Sequence, residues 1–213
     1  MDLIKSILKK KWLKWGFITF TSILIFLLAL YLSIYLGVFG KVPNTKELSS
    51  IKQEEATQVL DKDGQLIGKY YIYDRQPLHY KDFPKHLIDA LVATEDVRFF
   101  EHDGIDNVSL LRVFVKSIIL QNKSAGGGST ITLQLAKNLY GRNNYRFFGM
   151  VINKFRESII AKRIEAIYSK EEILTMYLNT VPFSDNTYGI ESAARKFFNK
   201  PAIQLTKAEA ATL

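Results

Sequence analysis

No charged residue occurs between positions 15 and 39, and leucine, isoleucine, phenylalanine and alanine dominate that stretch. About twenty apolar residues let a helix cross a bilayer, because every backbone polar group in hydrocarbon must be bonded within the segment itself. The run is too long for the apolar core of a cleaved signal peptide, and Leu36-Gly-Val-Phe-Gly40 makes a poor cleavage site. Five lysines (5, 9, 10, 11 and 14) precede it, opposed only by Asp2. Such a cluster keeps its segment in the cytoplasm, with Trp12, Trp15, Tyr31 and Tyr35 as interface anchors. The sequence thus predicts a cytoplasmic basic tail over 1–14 and one membrane-spanning helix over 15–40. Everything after Lys41 then lies on the outer side of the cytoplasmic membrane.

The tail also settles what the net charge means. Of the formal +8 of the 213-residue chain, half sits in those first residues. The remainder carries no basic footprint for nucleic acid. There is no cysteine, and the three histidines share no helical spacing, so disulfides and a structural zinc site are not expected. The length allows one substantial domain plus an appendage.

Residues 41–80 read as a linker and a β-hairpin, the hairpin turning at Asp63-Gly64. From Pro84 onward the apolar period is helical. Asp106 is placed to cap a helix running through Gln121. Ser169 and Glu172, then Thr206 and Glu209, have capping-box spacing. A mainly α domain is predicted over 81–213. Leu213 falls inside a predicted helix, so a longer parent chain is expected.

Three polar constellations interrupt this apolar pattern. The first follows Leu87, Ile88, Leu91 and Val92, whose helical stripe continues to Glu95 and so turns it inward. A carboxylate on an apolar face must be paired, hydrogen-bonded or protonated. It is either a structural partner of Arg98 or His102, or a general base at a helix end crowded with Asp96, Phe99, Phe100, His102 and Gly104.

The second is the glycine run 126–128, which leads through Ser129 and Thr130 into a helix bearing Gln134 and Lys137. This is either a flexible linker with a Ser/Thr cap or a helix start offering N–H groups to an anion. It is not a P-loop, since no Gly-Lys-Ser/Thr follows at the required spacing. The third is Asn153-Lys154-Phe-Arg156-Glu157, where Glu157 shares a stripe with Ile160, Ala161, Ile164 and Tyr168. A salt-bridged helix is the default for such a stretch. Two inward carboxylates in one helical domain are also the usual kit for chemistry at a sugar C1 atom, and basic neighbours suit a phosphate leaving group.

These segments resemble the peptidoglycan glycosyltransferases of family 51, found in class A penicillin-binding proteins and monofunctional transglycosylases. Glu95, Asp96, Phe99, His102 and Gly104 match the family's first motif in full. Gly127, Ser129, Thr130, Ile131, Thr132 and Gln134 match the second, with Leu133 replacing a glutamine. Lys154 and Glu157 match the third, with Asn153 replacing an arginine. Segments 171–179 and 188–200 also look like family signatures.

The resemblance implies a lysozyme-like helical fold with a membrane-dipping jaw. Val113, Phe114, Val115, Ile118, Ile119 and Leu120 would supply its apolar surface, and Arg112 and Lys116 would meet head groups. The implied reaction polymerises lipid II into β-1,4 glycan, with inversion at the MurNAc C1 and release of undecaprenyl pyrophosphate. Glu95 would be the base on the acceptor 4-OH, and Glu157 would support the leaving pyrophosphate. Asp96, Phe99, His102, Gly104, Arg112, Ser129, Thr130, Gln134, Lys137, Lys154 and Asn179 would bind substrate. No cofactor is required, although a divalent cation, magnesium or manganese, held by Glu95 and Asp96 is an option.

Partners implied are lipid II, the growing lipid-linked glycan, the membrane and other cell-wall synthesis proteins; moenomycin would inhibit. Arg142, Arg146 and Arg156 are the candidates to replace the missing motif-three arginine, and Leu133 is expected to face the core. Two other readings are a lysozyme-like glycan-cleaving enzyme and a non-catalytic, membrane-anchored cell-wall scaffold. The first needs no anion site, and the second needs neither carboxylate.

Overall fold

A computed structural model describes residues 2–51, 56–71, 73–114 and 127–213. The chain divides into two compact units, residues 1–42 with 145–156 and residues 43–144 with 157–213.

The first unit is built on helix α1 (Asp2–Tyr35). Its stretch Lys11–Tyr35 has a mean hydropathy of 2.4 and is long and apolar enough to cross a membrane. At 1.5 Å per residue those 25 residues span roughly 37 Å, more than a hydrocarbon core needs. The helix stops at Tyr35, short of the predicted position 40, because Gly37 and Gly40 take positive φ and turn the chain. Tyr31 stacks edge-on with Phe155, and Phe26 lies against Phe148. The Arg156 guanidinium donates to Tyr145 Oη, which itself donates to the Phe39 carbonyl. Apolar length and composition fit a single-pass membrane protein.

The second unit opens with a single turn, α2 (Thr45–Leu48), closed by an Asn44/Glu47 capping box. Leu48 is fully buried there, its carbonyl accepting from Tyr168 Oη at 2.7 Å. The hairpin follows as β1 (Thr57–Leu60) and β2 (Leu66–Tyr70), antiparallel, with Thr57 opposite Tyr70. Its turn is longer than a two-residue Asp-Gly loop. Asp61 Oδ1 accepts from the amides of Asp63 and Gln65, which draws Asp61 and Gln65 into the loop, and a bulge falls between Val59 and Leu60. A side chain that mimics a backbone turn has displaced the tighter one. Strand β3 (Asp74–Arg75) pairs in parallel with the distant β4 (Thr187–Tyr188).

The helices then come in sequence: α3 (Lys85–Glu95), α4 (Asn107–Phe114), α5 (Ile131–Tyr140), α6 (Gly149–Glu165), α7 (Lys170–Thr180), α8 (Ile190–Phe198) and α9 (Lys207–Thr212). Helix α6 begins in the first unit and ends in the second. Asp106 accepts from the amides of Val108 and Ser109, so it caps α4 as expected; the predicted continuation to Gln121 lies outside the described residues. Ser169 and Thr206 form the two expected capping boxes.

One core cluster joins Phe83 and Leu87 to Leu178, Ile190, Ala194 and Leu205. Ile131, Leu135, Ile164, Ile173 and Leu174 are equally buried. Each such side chain contributes about 1.5–3 kcal/mol by leaving water. The described residues are mainly helical, with short strands, as expected.

Candidate active site

Helix α3 ends between two acids with opposite fates. Asp96 leaves the helix at φ −159° and turns into the protein, where it is 7% exposed. Its carboxylate accepts from His102 Nε2 at 3.0 Å and from the Ile131 amide at 3.1 Å. His102 Nδ1 accepts from the Gly104 amide, so the ring proton belongs on Nε2, facing Asp96. Gly104, at φ +87°, passes so close to α6 that a Cβ would lie 3.1 Å from Glu165 Cγ and 3.3 Å from the Ala161 backbone. Its carbonyl accepts from Thr130 Oγ1 at 2.6 Å.

Phe99 is fully buried, with the Lys170 ammonium 4.4 Å from its ring centroid. That ammonium also donates to the His102 carbonyl and to Glu165, whose carboxylate receives Thr132 Oγ1. Asp96, Phe99, His102 and Gly104 therefore frame the site from inside, with their polar atoms engaged by protein.

Glu95 does the reverse, and here the helical period misleads. The stripe of Leu87 and Leu91 does not carry Glu95 into the core; it runs out at an open cleft of about 200 Å³, and Glu95 is exposed on the wall. Thr94, Tyr177, Phe183 and Ala210 also line it. Neither expected structural partner is present: Arg98 pairs with Glu101 and Asp106, and His102 with Asp96. Instead Gln134 Nε2 donates to Glu95 Oε2 at 2.6 Å, and Tyr177 Oη donates to Gln134 Oε1 at 3.1 Å. The Tyr177 phenol is pushed up to about 12, first by burial and then by the charge of Glu95.

The start of α5 also departs from expectation. Gly126 lies outside the described residues. Past it, Thr130 is the N-cap, its hydroxyl accepting from the Leu133 amide, while the Ile131 amide goes to Asp96. The helix start already holds an anion, and it is the protein's own carboxylate. The free N–H groups read from the glycine run are thus partly spent on internal capping. Ser129 is half-buried, and Leu133, 5% exposed, faces the core as expected. Lys137 is half-buried and makes no ion pair among the described residues.

Glu157 is buried as its stripe predicts, 4% exposed, and accepts from Arg142 Nε at 2.7 Å. That contact raises the Arg142 pKa further. Of the three arginines offered for the missing motif-three cation, Arg142 is the one that pairs with Glu157. Arg156 is committed to Tyr145, and Arg146 lies over the Phe147 ring. Lys154 is half-buried on α6, and Asn153 is buried.

Glu95 and Glu157 are both reached from α5, one through Gln134 and the other just past its C-terminus. Six residues from Gln134 to Tyr140 give roughly 9 Å along the helix axis. Glu95 is exposed there, whereas Glu157 is buried. Glu157 is not among the residues lining the Glu95 cleft.

Asn179 holds the backbone of Leu78 through both amide atoms, at 2.9 Å each, and is buried. It was expected at the substrate; Tyr177, two residues earlier, reaches the cleft instead. A buried phenol needs a partner, and that was the available signal. Arg112 is exposed on α4, donating to Ser109 Oγ at 3.1 Å. Beside it Leu110 and Leu111 are 44% and 63% exposed, and Val113 is half-buried. Nothing is described for the Phe114 side chain, and the expected jaw residues Val115, Lys116, Ile118, Ile119 and Leu120 lie outside the described residues.

A cation held between Glu95 and Asp96 does not fit. The Asp96 oxygens face His102 and Ile131, and Glu95 faces the cleft. Among the described residues no group of three or more acidic, histidine or cysteine side chains converges.

Comparison with known proteins completes this picture. The family model described as Transglycosylase matches residues 63–213. Penicillin-binding protein 1F of Bacillus subtilis (strain 168) is 39% identical over 158 residues, covering 74% of this chain and 21% of that protein. Penicillin-binding protein 1A of Vibrio cholerae is 35% identical over 179 residues, 84% of this chain and 21% of that protein. Penicillin-binding protein 1A of Aquifex aeolicus is 34% identical over 194 residues, 91% of this chain and 25% of that protein. The chain thus spans 21–25% of the length of these relatives. The lysozyme-like helical domain of the matched family is the class of fold described above. With both carboxylate motifs in place and the match covering most of its length, this chain belongs to the transglycosylase family.

Proposed function

We propose that the chain is a peptidoglycan glycosyltransferase that polymerises lipid II at the outer face of the cytoplasmic membrane, its N-terminus inside. The observation that carries this reading is Glu95: an exposed carboxylate on a cleft wall, held by one amide donor, at the end of a helix and followed by an acid, Asp96, that is locked away. A general base must be open to substrate and held by a fixed partner; Glu95 opens on the cleft and is held by Gln134.

In the proposed reaction Glu95 takes the proton of the acceptor GlcNAc 4-OH as that oxygen attacks MurNAc C1. The C1–O bond to pyrophosphate breaks on the opposite face, giving inversion and a β-1,4 link. The departing lipid pyrophosphate carries the electron pair. Lys137 and Arg142 neutralise it, and Glu157 holds Arg142 in position. Ser129 and Lys154 are proposed as further contacts to the sugars and phosphates.

The test is consumption of labelled lipid II by wild type and by Glu95→Gln, with finished glycan supplied separately. We expect wild type to consume lipid II and leave finished glycan intact. In the variant, turnover should fall by about 10²–10⁴-fold with the melting temperature unchanged. Near-normal turnover by the variant, or cleavage of finished glycan by wild type, overturns the reading.

A further inference from the structure

Resting on that reading of Glu95, we infer that Tyr177 is the positioning residue of the base: its hydroxyl fixes which end of the Gln134 amide meets the Glu95 carboxylate. A glutamine side chain is nearly symmetric in shape and opposite in chemistry at its two ends. Presented NH₂-first, it stabilises an ionised carboxylate. Presented C=O-first, it repels one and favours the protonated acid, which cannot accept the sugar proton. Contact with Glu95 alone biases this choice; a second partner at the far end of the amide enforces it.

Tyr177 supplies that partner. It is 5% exposed on α7, whose Ile173, Leu174 and Leu178 are buried around it, and α7 packs along α5. Its phenol stays protonated throughout the physiological range, since burial and the Glu95 charge push it up to about 12. A phenol hydroxyl is a better donor than acceptor, and Tyr177 Oη donates to Gln134 Oε1 at 3.1 Å. The NH₂ end is thereby turned outward, to Glu95 Oε2 at 2.6 Å. Three side chains from α7, α5 and α3 form one directed chain of hydrogen bonds, with the charge at its exposed end. Tyr177 itself acts through Gln134 alone.

The experiment is a double-mutant cycle on lipid II polymerisation with Tyr177→Phe, Gln134→Leu and both together, Glu95→Gln serving as the inactive reference. Phenylalanine removes only the hydroxyl, and melting temperature and circular dichroism report whether each variant folds. We expect Tyr177→Phe to lower kcat by up to about tenfold, the upper end for one hydrogen bond between neutral groups, with KM for lipid II unchanged. In the Gln134→Leu background the same substitution should change kcat less than twofold, because the intermediary is gone.

A Tyr177→Phe enzyme with wild-type kcat, a loss confined to KM, or equal losses on both backgrounds overturns the inference. Each of those outcomes leaves Glu95 as base untouched, provided Glu95→Gln is inactive. If Glu95→Gln remains active, the base assignment falls and this inference falls with it. A Tyr177→Phe variant that fails to fold would shift the reading to the second arm: Gln134→Asn, which shortens the amide by one methylene, should then show the kcat-only loss, and wild-type kcat in that variant overturns the inference.

Discussion

Glu95 and Asp96 are neighbours in sequence and sit in opposite environments. Asp96 is buried, bonded to His102 and to the first amide of α5, and helps fix the loop to the helix. Glu95 is exposed, bonded to a single amide, and open to a cleft. The difference teaches what each acid contributes. A buried, fully engaged carboxylate stabilises geometry and has no capacity left for substrate. An exposed carboxylate with one donor gives up little stability and keeps an oxygen free to take a proton. The same contrast recurs further along the chain, where Asn179 clamps backbone and Tyr177 turns to the cleft.

Substitutions at the two acids should therefore fail in different ways. Glu95→Gln, with the largest expected effect, should abolish most turnover and leave thermal stability where it was. Asp96→Ala should do the opposite. It removes the acceptor of the Ile131 amide at the start of α5 and leaves a buried imidazole N–H without its own acceptor, so unfolding in urea should show a loss of about 2–4 kcal/mol. If Asp96→Ala kept full stability and lost only activity, the division of labour between these neighbours would be wrong.

Much of this arrangement is legible in the residues before any coordinates. The capping boxes at Ser169 and Thr206, the uncharged run of α1, the inward stripe of Glu157 and the core position of Leu133 all follow from local chemistry. They are decided within a few residues of themselves. What is not legible has its deciding partner far away. Glu95 is oriented by Gln134, 39 positions later, and the α5 start is occupied by Asp96, 35 positions earlier. Periodicity places a residue on a helix face, but the last residue of a helix sees whatever packs beyond the end. Arg142 is a similar case. Three arginines lay within reach by sequence, and the one just after Gly141 is the one that pairs with Glu157. The family motifs pointed to these segments and left open which of their side chains face inward.

Arg142 offers a smaller effect that sharpens the same comparison. Its Nε is engaged by Glu157, and its side chain is 44% exposed, so it stands between the buried and the open type. Arg142→Lys keeps the charge and loses the fork that bonds a carboxylate and an anion together. We expect polymerisation to fall roughly tenfold with stability within about 1 kcal/mol of wild type, a surface-like cost. A stability loss as large as that of Asp96→Ala would move Arg142 into the frame.

The smallest effect concerns the wall of the Glu95 cleft, which α9 supplies through Ala210. Glu209, beside it, is held down from 4.5 to about 2, first by the Lys200 ammonium at 2.6 Å and then by the Thr206 cap. A carboxylate depressed in the folded state stabilises it fully above its ordinary value. That contribution is lost as pH falls through the folded one. Amide-exchange protection of α9 should thus stay level from neutral pH down to about 4.5 and weaken between there and about 2. Lys200→Ala removes the leading cause, so in that variant weakening should be complete at a higher pH and the window should narrow. Identical windows in wild type and Lys200→Ala would show that α9 is held by its apolar face alone. The cleft wall would then rest on the packing of Ala210 against α3, with the half-buried ion pair contributing nothing to it.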